Sequence, residues 1–183
     1  MFVNPSKVIE ILDIRPQMTV ADFGCGSGHY VIEAARRVGK SGKVYAIDIQ
    51  QEMLSFVRSQ AKLENLSNIE TIWADLEMPN ATRLKENSVD IIIISNILFQ
   101  AENKEQIAKE AFRILKPEGK AAAIEWIVEN GPVNFGPAMN NRISPSDAKN
   151  LFEKAGFSLE REFNPGEHHY GLIFVKSEAQ NYK

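Results

Sequence analysis

Between Val20 and Gly28 an apolar run gives way to three glycines at alternate positions, Gly24, Gly26 and Gly28, with Asp22 two residues before the first of them. Glycine lacks a Cβ, so such a loop adopts backbone angles closed to other residues and lets a ligand approach the main chain. Between a strand and a helix it forms a cradle for a small molecule, and it commits the chain to a fold in which strands and helices alternate. The sequence keeps that alternation. Lys43–Asp48, Ile69–Asp75 and Val89–Asn96 read as further strands, and the aliphatic run Ile91 to Ile94 suits a central strand buried on both faces. Helices fit between them at about 28–38, 51–64 and 102–115, the last with Ile107, Ala111, Ile114 and Leu115 at helical spacing. This is the pattern of βαβ units around a parallel sheet. A helix over 5–12 precedes the first strand.

Two ligands compete for the cradle. A dinucleotide loop reads G-x-G-x-x-G, with the pyrophosphate on the helix N-terminus. Here the third glycine place is His29, and the pattern is G-x-G-x-G. Asp22 would repel a pyrophosphate and attract an ammonium group. S-adenosylmethionine (SAM) carries an ammonium and a sulfonium and no phosphate, so the local charge favours it. Asp48 follows Gly28 by 20 residues, where one carboxylate can accept hydrogen bonds from both hydroxyls of a ribose. Both ligand classes carry ribose, so Asp48 does not separate them. Ile49 and Met53 follow where they could flank an adenine face.

Taken in order, these segments resemble the class I SAM-dependent methyltransferases, nearest to the small-molecule branch of type 11 and ubiquinone/menaquinone-biosynthesis-like enzymes. The likeness runs from about Val20 to Val175 and includes Arg113-Ile114-Leu115-Lys116-Pro117-Glu118-Gly119, similar to that family's turn before strand five. It implies an α/β, Rossmann-like, doubly wound sheet of seven strands in the order 3-2-1-4-5-7-6, strand 7 antiparallel. It also implies methyl transfer by in-line displacement, with SAM as donor and a small molecule as acceptor. By the same resemblance Asp22 places the ammonium, Asp48 the ribose, Asp75 the adenine amino group and the Leu76 N–H the ring, while main-chain atoms at Gly24 and Ser95 grip the methionine end. The expected donor site is therefore Asp22, Gly24, Gly26, Gly28, Asp48, Ile49, Met53, Asp75, Leu76 and Ser95. Ser95-Asn96-Ile97-Leu98 stands where amino-methylating relatives carry N/D-P-P-Y/F, which argues against a planar amine as acceptor.

The end of the chain changes character. Ser144 as N-cap, Pro145 and Asp147 start a helix that ends at Gly156. Phe157–Phe163 and His169–Lys176 then read as a hairpin whose loop, 164–169, overhangs the carboxyl ends of the parallel strands near Glu125 and Trp126.

The acid–base group is not assigned: His29, His168 and His169 are the candidates, the last two pointing to opposite faces if both lie on a strand. Cys25 reads as a packed thiol, Trp126 first as a core residue, and Glu125 with the histidines lacks the close-spaced ligands of a metal site. The 183 residues make one domain, 1–183, with 1–18 as a cover and 19–176 as the core. A net charge of −3 with scattered Lys and Arg argues against nucleic acid, one cysteine fits a reducing cytoplasm, and no apolar stretch is long enough to cross a bilayer. A homodimer fits as the assembly. Residues 97–102 and 127–143 are further candidate covers, the latter a lid with Phe135, Met139 and the cation Arg142 for a partly apolar, anionic acceptor. Two rival readings stay open: a non-catalytic SAM-binding module, and a nicotinamide-dependent oxidoreductase.

Overall fold

The computed structural model describes residues 3–128 and 136–177. In chain order the elements are α1 (Pro5–Ile11), β1 (Thr19–Phe23), α2 (His29–Val38), β2 (Lys43–Asp48), α3 (Gln51–Leu63), β3 (Ile69–Trp73), β4 (Val89–Ser95), α4 (Lys104–Ile114), β5 (Leu115–Trp126), α5 (Pro145–Lys154), β6 (Phe157–Gly166) and β7 (His169–Lys176), with a short 3-10 turn at Met139–Asn141. The strands form one sheet in the order β3-β2-β1-β4-β5-β7-β6. The pairs from β3 to β5 are parallel, and β7 runs antiparallel to both β5 and β6. Sheet order and strand directions agree with the sequence expectation.

Successive side chains along a strand point to opposite faces. Val20, Ala46, Ile91, Ile93, Ala122, Ile124 and Ile173 pack beneath α1, α2 and α3. Ala21, Phe23, Ile92, Ile94, Ala121, Ala123, Leu172 and Phe174 pack beneath α4 and α5. The same parity decides what lies at the strand ends. Asp22, Asp48, Ser95, Trp126 and His169 fall on the α1–α3 face, whereas Glu125 and Tyr170 fall on the α4–α5 face.

Three boundaries differ from the sequence reading. β3 stops at Trp73, the last residue registered with β2, so Asp75 lies in the loop beyond. β5 begins at Leu115, before the Lys-Pro-Glu-Gly stretch read as a turn. Those residues form an irregularity within the strand, opposite a register shift between Val89 and Ile91. Pro117 has no N–H to donate to a ladder, and Lys116 Nζ holds Asp90 Oδ1 at 2.7 Å instead. β6 continues to Gly166, leaving Glu167 and His168 as the turn.

One buried polar network braces the α4–α5 side. Glu110, 1% exposed, accepts from the Thr82 N–H (3.0 Å), the Thr82 hydroxyl (2.6 Å) and Arg113 (Nε, 2.9 Å). Glu110→Ala would leave the Thr82 N–H and the Arg113 Nε–H without acceptors, although the guanidinium keeps its bond to the Leu84 carbonyl, so a loss of about 2–3 kcal/mol is expected in urea unfolding, with donor affinity unchanged.

Candidate functional site

The carboxyl ends of β1, β2 and β4, the end of β5 and the start of β7 meet at one rim of the sheet. At the end of β1 the chain turns through Gly24 (φ 70°), Gly26 (φ 50°) and Gly28 (φ 80°), all left-handed. The N–H groups of Gly24 and Cys25 both donate to the Ile47 carbonyl at 2.9 Å. A Cβ on Gly24 would stand 2.3 Å from Ile97 Cγ2, whereas one on Gly26 would meet nothing within 4 Å. Gly24→Ala is therefore expected to cost about 2 kcal/mol, from the left-handed backbone and the displaced Ile97, and to reduce donor binding because Ile97 lines the same cavity.

Asp48 closes this loop in a way that the ribose argument did not foresee. Its Oδ2 accepts the Gly26 N–H at 2.9 Å and its Oδ1 accepts the Gln50 N–H at 2.8 Å. The carboxylate thus stitches the glycine loop to the start of α3, lines the cavity, and has acceptor capacity left over.

That cavity has a volume of about 490 Å³. Seven of the ten expected donor-site residues line it: Gly24, Gly26, Asp48, Ile49, Asp75, Leu76 and Ser95. Asn96, Gln100 and Ala101 line it too; the last two belong to the stretch 97–102 read as a cover, and none of the three was expected at the donor site. The other three expected residues stand outside the lining. Gly28 caps α2, Met53 sits half-buried on α3, and Asp22 lies beneath the loop, 2% exposed. Burial and the neighbouring Asp48 push the Asp22 carboxyl up to about 8.

A second cavity, about 350 Å³, shares Gly24, Gly26, Ser95 and Asn96 with the first. Its other walls include Val3, Pro5, Cys25, His29, Tyr30, Trp126 and His169. Trp126, read first as core, is a cavity wall, because strand parity turns it to the α1–α3 face. Its ring lies 4.1 Å from that of His169, its cross-strand partner. Of the candidate bases, His29 is exposed at the start of α2, His169 is buried, and His168 sits in the turn away from this lining. Burial and the Asp22 charge push the Cys25 thiol up, so it stays protonated as a packed group.

The partnerless polar atoms gather at this rim. Among the described residues, the buried side-chain atoms without a hydrogen bond are Asp22 Oδ2, Asn96 Oδ1, Glu125 Oε2 and both ring nitrogens of His169. Each lies at the end of β1, β4 or β5 or at the start of β7. Leaving such a group unmet costs about 1–3 kcal/mol. Glu125 also has a structural task. Its Oε1 accepts the N–H groups of Ile97 (3.0 Å) and Leu98 (2.7 Å), pinning the segment after β4 to the sheet. Burial, opposed by those bonds, raises it to about 7.

Of the stretch read as a lid, residues 129–135, Phe135 among them, lie outside the described residues. Arg142, read as a cation facing the acceptor, instead donates to the carbonyls of Pro137 (3.0 Å) and Ile127 (2.7 Å) and lies over the Trp126 ring. It braces the two ends of that stretch. Among the described residues no group of three His, Cys, Asp or Glu side chains could hold a metal, and no helix is long and apolar enough to cross a membrane.

Comparison with known proteins bears on this geometry. The family model described as a methyltransferase domain matches residues 14–156. The chain is 30% identical to a demethylmenaquinone methyltransferase of Lactobacillus johnsonii over 79% of its own length and 59% of the relative's. It is 32% identical to the ubiquinone/menaquinone biosynthesis C-methyltransferase UbiE of Hydrogenovibrio crunogenus, over 76% and 58% of the two chains. It thus spans less than two thirds of these curated relatives. Among solved structures, a SAM-dependent methyltransferase from Aquifex aeolicus superposes with a TM-score of 0.84 at 28% identity, covering 95% of this chain and 90% of the other.

Proposed function

The chain belongs to the methyltransferase domain family, with SAM as its methyl donor, and from that premise we propose that it methylates a small aromatic molecule bearing a hydroxyl group, held in the second cavity. The observation that carries this reading is the pair of cavities meeting at Gly24, Gly26, Ser95 and Asn96. A donor in the first and an acceptor in the second would face each other across one short boundary. The rival readings, a nicotinamide-dependent oxidoreductase and a non-catalytic module, receive no support from the family match.

The residues present fit the donor. Asp22 Oδ2 is buried and partnerless beneath the loop, as a counter-charge for a cation requires. The open side of Gly26 admits a ligand to the main chain. Asp48 has lone pairs left for ribose hydroxyls, the exposed side chain of Ile49 offers an apolar flank for a purine, and Asp75 and the Leu76 N–H offer an edge for its amino group and ring. When bound, the donor supplies an electrophilic methyl on a positively charged sulfur, whose departure needs no acid. What remains for the protein is to align the two partners and keep water out, effects worth about 7–11 kcal/mol. Ser95 and Asn96, at the shared boundary, orient both partners.

The acceptor class rests on the second cavity's walls, in which Pro5, Tyr30 and Trp126 provide flat apolar surface. The names of the two curated relatives, both quinone-biosynthesis methyltransferases, point the same way. The net charge of −3 and scattered basic residues support a small molecule over nucleic acid. The test is incubation with SAM labelled in its methyl group and 1,4-dihydroxynaphthalene. A singly methylated, labelled product together with adenosylhomocysteine is expected. Donor binding without transfer to any hydroxylated aromatic would overturn the acceptor assignment.

A further inference from the structure

We propose that His169 is the group that selects the acceptor's hydroxyl and takes its proton during methyl transfer, an assignment that rests on the donor and acceptor cavities described above. His169 is 4% exposed, lines the second cavity, and has no hydrogen-bond partner at either ring nitrogen among the described residues. Its orientation is fixed twice, by the register that sets it opposite Trp126 and by the Trp126 ring 4.1 Å away at an interplanar angle of 40°. Buried polar side chains are as a rule hydrogen-bonded, so a ring held here with both nitrogens unmet suits a partner that donates an O–H.

The neighbouring groups decide its charge. His168 adjoins it, Arg142 approaches from the segment before α5, and Cys25, His29 and Tyr30 share the cavity wall. Burial, reinforced by the neighbouring His168 and Arg142, lowers His169 to about 4, so the ring is neutral at physiological pH. The other groups on this wall are less suited to the role. Tyr30 is raised to about 12 and Cys25 is raised further, both by burial, so both remain protonated, while His29 is exposed to water.

A base this weak does not ionise a phenol, whose ordinary value is near 10. Its moment comes later. As the hydroxyl oxygen bonds to the methyl carbon it becomes cationic and its proton strongly acidic. The O–H bond then breaks toward a His169 nitrogen, the S–C bond breaks, and its electron pair stays on sulfur as a neutral thioether. The imidazolium afterwards loses its proton to water. Attack through a ring carbon conjugated with the hydroxyl sends the same proton to the same nitrogen and leaves a ring ketone; the ring hydrogen at the methylated carbon then leaves as a proton and the oxygen takes one back from water, so that one proton is released overall as aromaticity returns.

The test uses the whole chain with ¹⁵N-labelled histidine, loaded with adenosylhomocysteine and titrated with 1-naphthol and, separately, naphthalene. One histidine ring signal, identified by its loss in His169→Phe, should shift with 1-naphthol and not with naphthalene. His169→Phe should bind 1-naphthol about 10-fold more weakly and naphthalene unchanged, and His169→Gln, which keeps an acceptor oxygen, should recover part of the preference. An unmoved His169 signal at saturating 1-naphthol would overturn the proposal, as would equal losses for the two probes in His169→Phe. If neither probe binds the loaded wild type, the aromatic acceptor site falls and this assignment with it. Failure to load adenosylhomocysteine would strike the donor site instead, which the variant-free calorimetry of that ligand reads separately.

Discussion

Asp48→Asn is expected to weaken adenosylhomocysteine binding by at least ~100-fold, since each hydrogen bond to a charged group contributes about 1.5–3 kcal/mol and at least two are affected. One carboxylate does two jobs here. Its Oδ2 holds the Gly26 N–H and its Oδ1 the Gln50 N–H, at 2.9 and 2.8 Å. An amide can accept at only one of these places and presents N–H to the other. The loop would relax at the point where it must meet the ligand, and a ribose acceptor would be lost as well. Calorimetric titration reads the affinity directly. A loss of less than threefold, with the fold intact by circular dichroism, would show that neither the loop stitch nor the ribose contact matters to binding.

Asp22→Asn should act on stability and on binding in opposite directions. In the folded apo protein Asp22 is raised from 3.8 to about 8 by burial and by Asp48. An unfolded chain releases this proton near pH ~4 while the folded chain keeps it until about 8, so the folded state binds more protons between them. The stability that Asp22 contributes is therefore full below ~4 and lost as pH rises through about 8. An amide at this position carries no such penalty. Above pH ~8 the variant should melt higher than wild type, by ~2–4 °C for each kcal/mol of penalty removed in a chain of this size. A cation seated over Asp22 favours the ionised form. Wild-type SAM affinity should rise with pH up to about 8, with a proton released on binding below it. Asp22→Asn should bind at least ~10-fold more weakly and without that pH dependence. Melting curves and titrations across pH check both halves. A variant less stable than wild type at high pH would contradict the burial argument, and one that binds SAM normally would remove Asp22 from the donor site.

The sequence carried most of the fold because its strands are written in local code. Ile91 to Ile94 suited a central strand, and Gly24, Gly26 and Gly28 suited a turn between a strand and a helix. The sheet order had a different source: nothing in periodicity places β7 between β5 and β6, and only the resemblance to a known family implied it. The start of β5 was missed because Lys116, Pro117, Glu118 and Gly119 carry turn chemistry, whereas in the fold they lie within the strand and Lys116 pairs with Asp90 on neighbouring β4. At the site, loop glycines and strand-end acids were legible because their chemistry is local. The hairpin loop was placed near Trp126 from topology, but the pairing of the Trp126 and His169 rings was not legible, since it depends on the antiparallel register between segments far apart in the chain. Nor was the pinning of Ile97 and Leu98 by Glu125, which joins the end of one strand to the loop beyond another. Arg142 was legible as a cation, but its bonds to the Ile127 and Pro137 carbonyls depend on how that stretch closes.

The most direct test of the central claim, that the hollow above β1 holds a sulfonium amino acid nucleoside by its charge and its ribose, is calorimetric titration of the pure chain with SAM, adenosylhomocysteine and NADH at one pH. The account predicts saturable one-to-one binding of SAM and adenosylhomocysteine and none of NADH. Heat of binding from NADH alone would contradict it.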